Sequence, residues 1–190
     1  MSILIAMSGK MRSGKDAAGD YIAQRLASMG YSITRLAFAD TLKRIADFAQ
    51  KEAGLPRIKD RELLQYLGAE WGRKRNPNVW VDALERKIVD ILEEDDCEVI
   101  IVTDLRFPNE FSMLRDRGFT LVRTSANASI RAMRGAEIDN MTHISETAVD
   151  DYDSKCAWDW FIENEDTLPE FHAKLDLVVA KAVLEEVSFL

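Results

Sequence analysis

Residues 3–16 read ILIAMSGKMRSGKD, a continuous apolar run followed by a polar loop that begins and ends with glycine. The run Ile3–Met7 is typical of a strand that is buried on both faces. The loop fits the pattern G-x-x-x-x-G-K between a strand and a helix. Glycines let backbone N–H groups turn inward around a polyphosphate, and the helix N-terminus adds positive potential. The predicted nucleotide-binding residues are Gly9, Lys10, Met11, Arg12, Ser13, Gly14, Lys15 and Asp16.

Two residues at the end of this loop carry its chemistry. Lys15 would reach the β- and γ-phosphates of a nucleotide, so we expect it to be catalytic and ATP to be bound. Asp16 stands where a serine or threonine usually contacts magnesium. A carboxylate can ligate Mg²⁺ directly or through water, so we expect Mg²⁺ with Asp16 as a ligand. The alternative is a glycine-rich turn in which Asp16 only favours the first helical turn.

Short apolar runs alternate with helical patterns along the rest of the chain. Further strands are predicted at residues 32–38, 99–102, 119–123 and 158–162. Strands joined by helices require crossover connections, which give a parallel sheet covered on both faces. We therefore expect a single domain over residues 1–190 with an α/β, three-layer P-loop NTPase fold, in which about five parallel strands are flanked by helices.

Composition narrows the function classes. Of 190 residues, 47% are hydrophobic, which supplies a sizeable core and excludes disorder. The net charge of −8 disfavours binding to a nucleic-acid polymer. Cys97 and Cys156 cannot build a disulfide framework or a zinc site by themselves. No apolar run approaches membrane-spanning length, so we expect a cytoplasmic protein.

Four short segments resemble the phage-type deoxynucleoside monophosphate kinases. They are RSGKD (12–16), LQYLG (64–68) with Trp80 downstream, TDLRFPNE (103–110) and THISE (142–146), and they occur in the order of that family. The resemblance implies transfer of the ATP γ-phosphate to a deoxynucleoside monophosphate, giving the diphosphate. It also implies a helical monophosphate-binding insertion at about 55–95, a lid at about 124–153, a homodimer, and the host cytoplasm for a phage-encoded enzyme.

A phosphate acceptor is already anionic, so the enzyme must neutralise charge rather than provide a strong base. Under this resemblance, Arg131 and Arg134 are candidate catalytic contacts from the lid, and Arg12 is one from the loop. Their spacing puts Arg131 and Arg134 on one face if the stretch is helical. The alternative is that all three are ordinary solvated arginines.

Two aspartates follow predicted strands, where open parallel sheets place functional groups. Asp104 is a candidate catalytic residue that would hold a magnesium-bound water, or would grip the substrate sugar with Arg106. Its alternative role is to cap the helix after Phe107. Asp40 is a candidate substrate contact, or a cap of the following helix. Lys43, one turn further on, is a candidate contact to a substrate phosphate.

The remaining candidates complete the substrate and nucleotide sites. Gln65 would hydrogen-bond a base edge, and Trp80 would either stack on the base or belong to the core. Arg106 would pair with Glu110 or bind the monophosphate. His143 belongs to a segment of the resemblance but receives no defined role, and the same holds for Glu146. Asn164 lies where kinases of this architecture hold adenine.

Two other functions fit the same loop. One is another small-molecule kinase, similar to dephospho-coenzyme A kinase or phosphomevalonate kinase. A hydroxyl acceptor would need a positioned carboxylate base, for which Asp40 and Asp104 are the candidates. A nucleotide-binding module without turnover is the second alternative, and Asp16 is the feature that suggests it.

Overall fold

A parallel sheet organises the part of the chain that this computed structural model describes, namely residues 2–94, 97–135, 144–154 and 157–187. Its strands are β1 (Ile3–Gly9), β2 (Ile33–Leu36), β3 (Val99–Leu105), β4 (Thr120–Ser125) and β5 (Trp160–Glu163). The order β2-β3-β1-β4-β5 puts the strand before the phosphate loop at the centre. All four pairings are parallel, which confirms the predicted sheet of about five parallel strands.

Helices cover both faces of this sheet. They are α1 (Lys15–Ser28), α2 (Ala39–Glu52), α3 (Arg61–Gln65), a π-helix (Tyr66–Arg73), α4 (Val79–Glu93), α5 (Pro108–Asp116), α6 (Ala128–Met133), α7 (Ile144–Thr147), α8 (Asp150–Ser154) and α9 (Leu168–Val187). Among the described residues, no helix is both long enough and apolar enough to cross a bilayer.

Two apolar layers hold the helices against the sheet. Side chains of β1 alternate between them, so that Ile5 belongs to one layer and Ala6 to the other. The first layer includes Ile22 of α1 and Phe171 of α9, and the second includes Ile88 of α4. Each fully buried large apolar side chain contributes about 1.5–3 kcal/mol to folding. The result is the helix–sheet–helix arrangement that the alternating pattern predicts.

Parallel strands bring the candidate site together because all their carboxyl ends lie at one edge of the sheet. The phosphate loop follows β1, and the stretch with Asp40 follows β2. Asp104 is the second-last residue of β3. Helix α6 follows β4, and Asn164 follows β5 directly. Residues far apart in sequence thus meet along this edge.

The helices between α2 and β3 fall within the range expected for an insertion, about 55–95. Trp80 is only 3% exposed there and donates its indole N–H to the carbonyl of Gly68 at 3.0 Å. A Cβ at Gly72 would come within 2.6 Å of the Trp80 ring, so glycine is needed for this close packing. Most of the Trp80 ring therefore belongs to the core.

Candidate active site

The phosphate loop joins β1 to α1 in a conformation that needs glycine at its narrowest points. Gly14 has a φ of +96°, and a Cβ on it would overlap the amide of Asn164. A Cβ on Gly9 would overlap Thr124. Arg12 also has a positive φ, of 63°. These constraints explain the G-x-x-x-x-G spacing by close approach of β4 and of the turn after β5 to the loop.

Side chains from three other segments fasten the loop. The hydroxyls of Ser13 and Thr124 are 2.9 Å apart, and Asn164 donates its side-chain amide to the Ser13 carbonyl at 3.0 Å. Arg134 donates to the carbonyls of Arg12 (3.4 Å) and Asn164 (3.0 Å). Asn164 and Arg134 therefore both lie at the loop, and Asn164 contacts it through its side-chain amide.

Lys15 and Asp16 stand together at the start of α1. The Lys15 ammonium is 2.5 Å from both the Thr103 carbonyl and an Asp16 carboxylate oxygen. The Asp16 side chain is 83% exposed. Partial burial raises the pKa of Asp16, but the hydrogen bond and charge of Lys15 outweigh it and bring the pKa below its usual value. Asp16 is therefore ionised near neutral pH.

A magnesium ion fits this carboxylate. In kinases Mg²⁺ keeps several waters and takes one or two carboxylates together with substrate phosphates. Asp16 supplies one exposed carboxylate at the mouth of the loop. Among the described residues, no three acidic, histidine or cysteine side chains gather into a metal site. The donor set thus suits an ion that depends on substrate phosphates.

The phosphate loop opens into a strongly basic cleft of about 730 Å³. Among the described residues, two acids line it, Asp16 and Asp166. The cationic side chains of the lining are Lys10, Arg12, Lys15, Lys59, Arg61, Arg106 and Arg134. Because the whole chain carries a net charge of −8, this is a local reversal of sign suited to a polyphosphate.

A second cleft of about 760 Å³ lies beside the first and is mainly aromatic and apolar. Gln65, Arg73 and Glu110 are among its polar lining residues. Its aromatic lining residues are Phe38, Tyr66, Trp80 and Phe107. The Arg73 guanidinium lies 4.3 Å from the centre of the Phe107 ring and donates to Glu110 at 3.3 Å. This cleft can take an aromatic ring. Its charged lining in the described part of the chain is mixed, with Arg73 and Arg106 beside Glu62, Glu70, Asp104 and Glu110.

Arg106 lines both clefts and so marks where they meet. The expected ion pair between its side chain and Glu110 is wrong. Glu110 instead accepts the backbone N–H groups of Arg106 (2.8 Å) and Phe107 (3.1 Å) and so caps α5. The Arg106 guanidinium pairs with Glu146, which is 40 residues further along the chain. The ion-pair partner of Arg106 is thus set by the tertiary structure and not by nearness in the sequence.

Asp104 is half-buried and caps α2. Its two oxygens accept the N–H groups of Phe38 (2.8 Å) and Ala39 (3.1 Å). The alternative expectation, that it caps the helix after Phe107, is wrong because Glu110 does so. Burial raises the pKa of Asp104 in spite of these hydrogen bonds and of nearby lysines. Its proposed roles toward magnesium and sugar stay predictions, with both oxygens already engaged.

Two predicted substrate contacts lie away from the second cleft. Asp40 accepts the N–H of Ala37 at 2.9 Å, as expected from its alternative role at the start of α2. Lys43 lies 3.8 Å from Asp40 and lines a separate groove of about 430 Å³. Neither is among the residues that line the second cleft.

The two arginines of the expected lid differ in position. Arg134 reaches the phosphate loop, whereas Arg131 is 7% exposed and donates its Nε to the Ala126 carbonyl at 3.2 Å. Arg131 does not line the basic cleft, so the predicted shared face at the phosphates is not formed. Its Nη1 is buried and has no hydrogen-bond partner in the described part of the chain. The candidate His143 lies outside the described residues.

Several residues of the site carry no clear signal in the sequence. Lys59, just before α3, and Arg61, its first residue, line the basic cleft, and nothing in the sequence distinguishes these two cations from solvated ones. Thr124 contacts the loop from a strand. Glu146 lies in the THISE segment, from which no role could be assigned to it, and it accepts the Met11 N–H at 2.5 Å.

Sequence comparisons find viral proteins. The chain is 36% identical over 149 residues to uncharacterized protein ORF77 of Ictalurid herpesvirus 1 (strain Auburn), covering 78% of this chain and 59% of that protein. It is 30% identical over 173 residues to uncharacterized protein ORF76 of the same virus, covering 90% and 65%. The chain thus spans about three fifths of the length of these relatives. No protein-family model matches it.

A shorter match is to a protein of named activity. The deoxynucleoside-5'-monophosphate kinase of Escherichia phage T5 is 41% identical over 60 residues, which covers 31% of this chain and 22% of that enzyme.

Solved structures with the same fold include small-molecule kinases. A gluconokinase from Sinorhizobium meliloti 1021 gives a TM-score of 0.56 at 17% identity, covering 100% of this chain and 98% of the other. A dephospho-CoA kinase from Campylobacter jejuni gives 0.55 at 13% identity, covering 95% and 97%. The chain therefore has the three-layer α/β fold of P-loop NTPases, and its structural neighbours include P-loop kinases.

Proposed function

We propose that this chain is an ATP- and Mg²⁺-dependent kinase that transfers the γ-phosphoryl group of ATP to a deoxynucleoside monophosphate. The observation that carries the proposal is the pair of clefts that meet at Arg106. One cleft is basic and contains the phosphate loop, and the other is aromatic. Transfer between two phosphates needs such a pair of sites with positive charge where they join.

The basic cleft supports the donor half of the reaction. Lys15 and the loop amides would bind the phosphates of ATP, while Arg12 and Arg134 add positive charge at the same place. Mg²⁺, when bound, would neutralise charge on the phosphate oxygens, and Asp16 is the side chain that would hold it. Asn164 and Ser13 keep the loop in its conformation.

The aromatic cleft supports the acceptor half. Its rings suit a nucleobase, and the Gln65 side chain can hydrogen-bond a base edge. Arg73 and Arg106 are the cations available for a monophosphate there. Since the acceptor oxygen is already ionised, its attack requires alignment and charge neutralisation and no strong base.

The state of the two candidate bases favours a phosphate over a hydroxyl acceptor. Asp104 lines the second cleft, but both of its oxygens already accept backbone N–H groups, and Asp40 does not line that cleft. The choice of a deoxynucleotide is supported by the match to the phage T5 enzyme and by the four ordered segments of the sequence.

The test is a panel of the four deoxynucleoside monophosphates, each incubated with ATP and Mg²⁺ and scored by product mass. We expect at least one diphosphate to form with stoichiometric ADP. Dephospho-coenzyme A serves as a hydroxyl acceptor, and a reaction without acceptor measures background hydrolysis. Activity with a hydroxyl acceptor alone would replace the proposal. ATP binding without ADP release on any acceptor would support a non-catalytic module.

A further inference from the structure

Glu146 of α7 is a buried acid at the edge of the basic cleft. It is only 5% exposed, and its two carboxylate oxygens contact different parts of the site. One oxygen accepts the N–H of Met11, at the top of the phosphate loop, at 2.5 Å. The other accepts the guanidinium of Arg106. A single side chain thus links the loop that would hold the donor to the arginine shared by both clefts.

Helix α7 holds Arg106 by one edge. The guanidinium Nη1 donates to the Glu146 carboxylate and to the Ser145 carbonyl, the latter at 3.3 Å. These are the hydrogen bonds that the guanidinium donates within the described part of the chain, so Nε and Nη2 are available there for a ligand. Because Arg106 lines both clefts, that second edge lies where two phosphates would approach each other.

Neighbouring ion pairs keep this segment in place. Asp150 of α8 is 2.6 Å from the Lys10 ammonium of the loop. The buried Arg123 donates to Asp150 and Asp153, each at 3.1 Å. Glu146 therefore lies shortly before a helix, α8, that is ion-paired with both the phosphate loop and β4.

A carboxylate beside two anionic substrates weakens their binding by charge repulsion unless it organises a cation. The paired Arg106 is that cation. We infer that Glu146 is a positioning residue for phosphoryl transfer: it orients the Arg106 guanidinium toward the junction of the clefts and fixes the Met11 end of the phosphate loop. This inference rests on the proposed kinase function and deepens it.

The kinetic test is Glu146→Gln, which keeps an oxygen acceptor for the Met11 N–H but removes the charge that orients Arg106. We expect kcat to fall about tenfold to a hundredfold, because misplacing one catalytic contact has effects of this size. The KM for ATP should stay within about threefold, since Lys15, Asn164 and Thr124 hold the donor loop independently. The matched control is Glu85→Gln, which also removes a carboxylate paired with an arginine, Arg117, and should leave kcat unchanged.

Two further variants separate positioning from simple structural support. Arg106→Lys keeps a charge beside Glu146 but loses the planar fork, and we expect a similar loss of kcat. The double variant Arg106→Gln/Glu146→Gln should be no worse than Arg106→Gln alone, because the two residues act as one unit. Additive losses, an unchanged kcat in Glu146→Gln, or a parallel rise in the KM for ATP would overturn the inference.

A readout without turnover distinguishes failure of this inference from failure of the proposed function. Hydrogen exchange of the Met11 amide in the intact protein should be protected and should accelerate at least about tenfold in Glu146→Ala but not in Glu85→Gln. Binding of each deoxynucleoside monophosphate, measured by calorimetry, should weaken about tenfold in Glu146→Gln, with ADP binding unchanged. Absence of phosphoryl transfer by the native chain would refute the proposed kinase function. Met11 exchange that is unchanged in Glu146→Ala, together with monophosphate binding that is unchanged in Glu146→Gln, would refute the role of Glu146.

Discussion

Lys15 is a buried lysine at the start of α1, and its ammonium makes few contacts in the described part of the chain. Its ammonium contacts the Thr103 carbonyl and Asp16. Since transfer between two anions depends on positive charge at the phosphates, this residue should matter for rate far more than for folding.

We predict that Lys15→Ala lowers kcat at least about a hundredfold, the usual effect of removing one such stabilising contact. The variant should keep the circular dichroism spectrum and the cooperative unfolding of the native chain. Steady-state ADP release and denaturant unfolding measure the two quantities. Turnover within about twofold of the native rate would contradict the assignment of the loop as the donor site.

Glu110 is a residue whose ionisation opposes folding. Its burial, together with the nearby Asp104 charge, raises its pKa from 4.5 to about 7, although hydrogen bonds from Arg106 and Phe107 and the charge of Arg73 act in the other direction. Between these two pH values the unfolded chain has released the proton and the folded chain still holds it. Rising pH therefore favours the unfolded state across this interval.

The expected consequence is a pH-dependent difference between the native chain and Glu110→Gln. The free energy of unfolding of the native chain should fall by about 2 kcal/mol relative to the variant between about pH 5 and about pH 8. Urea unfolding at both pH values measures it. A difference that does not change with pH, or that grows in favour of the native chain, would show that Glu110 ionises normally in the fold.

At the scale of elements, Arg123 of β4 connects α8 to the sheet through hydrogen bonds to Asp150 and Asp153. Arg123 of β4 is only 3% exposed, and it donates to Ser8 at 3.0 Å and to Asp150 and Asp153 at 3.1 Å. Its guanidinium also lies 5.4 Å from the centre of the Trp158 ring. From the sequence, Arg123 is an arginine at the end of a predicted strand. In the structure it joins α8 to β1, the central strand of the sheet.

We predict that Arg123→Met destabilises the protein by about 2 kcal/mol or more, because two carboxylates lose their buried partner. Urea unfolding gives the value. Arg117→Met is the matched control, since Arg117 pairs with Glu85 at the surface and should change stability by less than about 1 kcal/mol. Equal effects of the two substitutions would mean that the buried pair adds nothing.

At the scale of the whole molecule, charge is distributed unevenly. The chain carries −8 overall, yet the described residues that line the basic cleft include seven cationic and two acidic side chains. A cleft that concentrates positive charge attracts polyanions over a distance, and dissolved salt screens that attraction.

We therefore predict that the KM for ATP rises at least about threefold when KCl increases from roughly 0.05 M to roughly 0.3 M. The kcat at saturating ATP should change little, because contacts inside the occupied cleft are screened less than long-range attraction. Initial rates across a salt series measure both parameters. A KM that is constant across this range would show that the local charge does not assist binding.

Local patterns predict the architecture well because each depends on near neighbours. The apolar run Ile3–Met7, the glycine-bounded loop and the helical spacing after it are all read within one segment, and the sheet is confirmed. The positive φ of Gly14 is likewise a property of the loop itself, whereas its close packing against Asn164 is a tertiary contact.

The sequence by itself determined the order of strands, loop and helices, and it located most of the polar residues near the carboxyl edge of the sheet. Only the tertiary structure decided which side chains face the clefts. Arg134 reaches the loop and Arg131 turns inward, Asp104 caps a helix 65 residues earlier, and Arg106 pairs with Glu146 rather than with Glu110. Those choices depend on partners brought together by the folded sheet, and spacing along a chain carries no information about contacts across it.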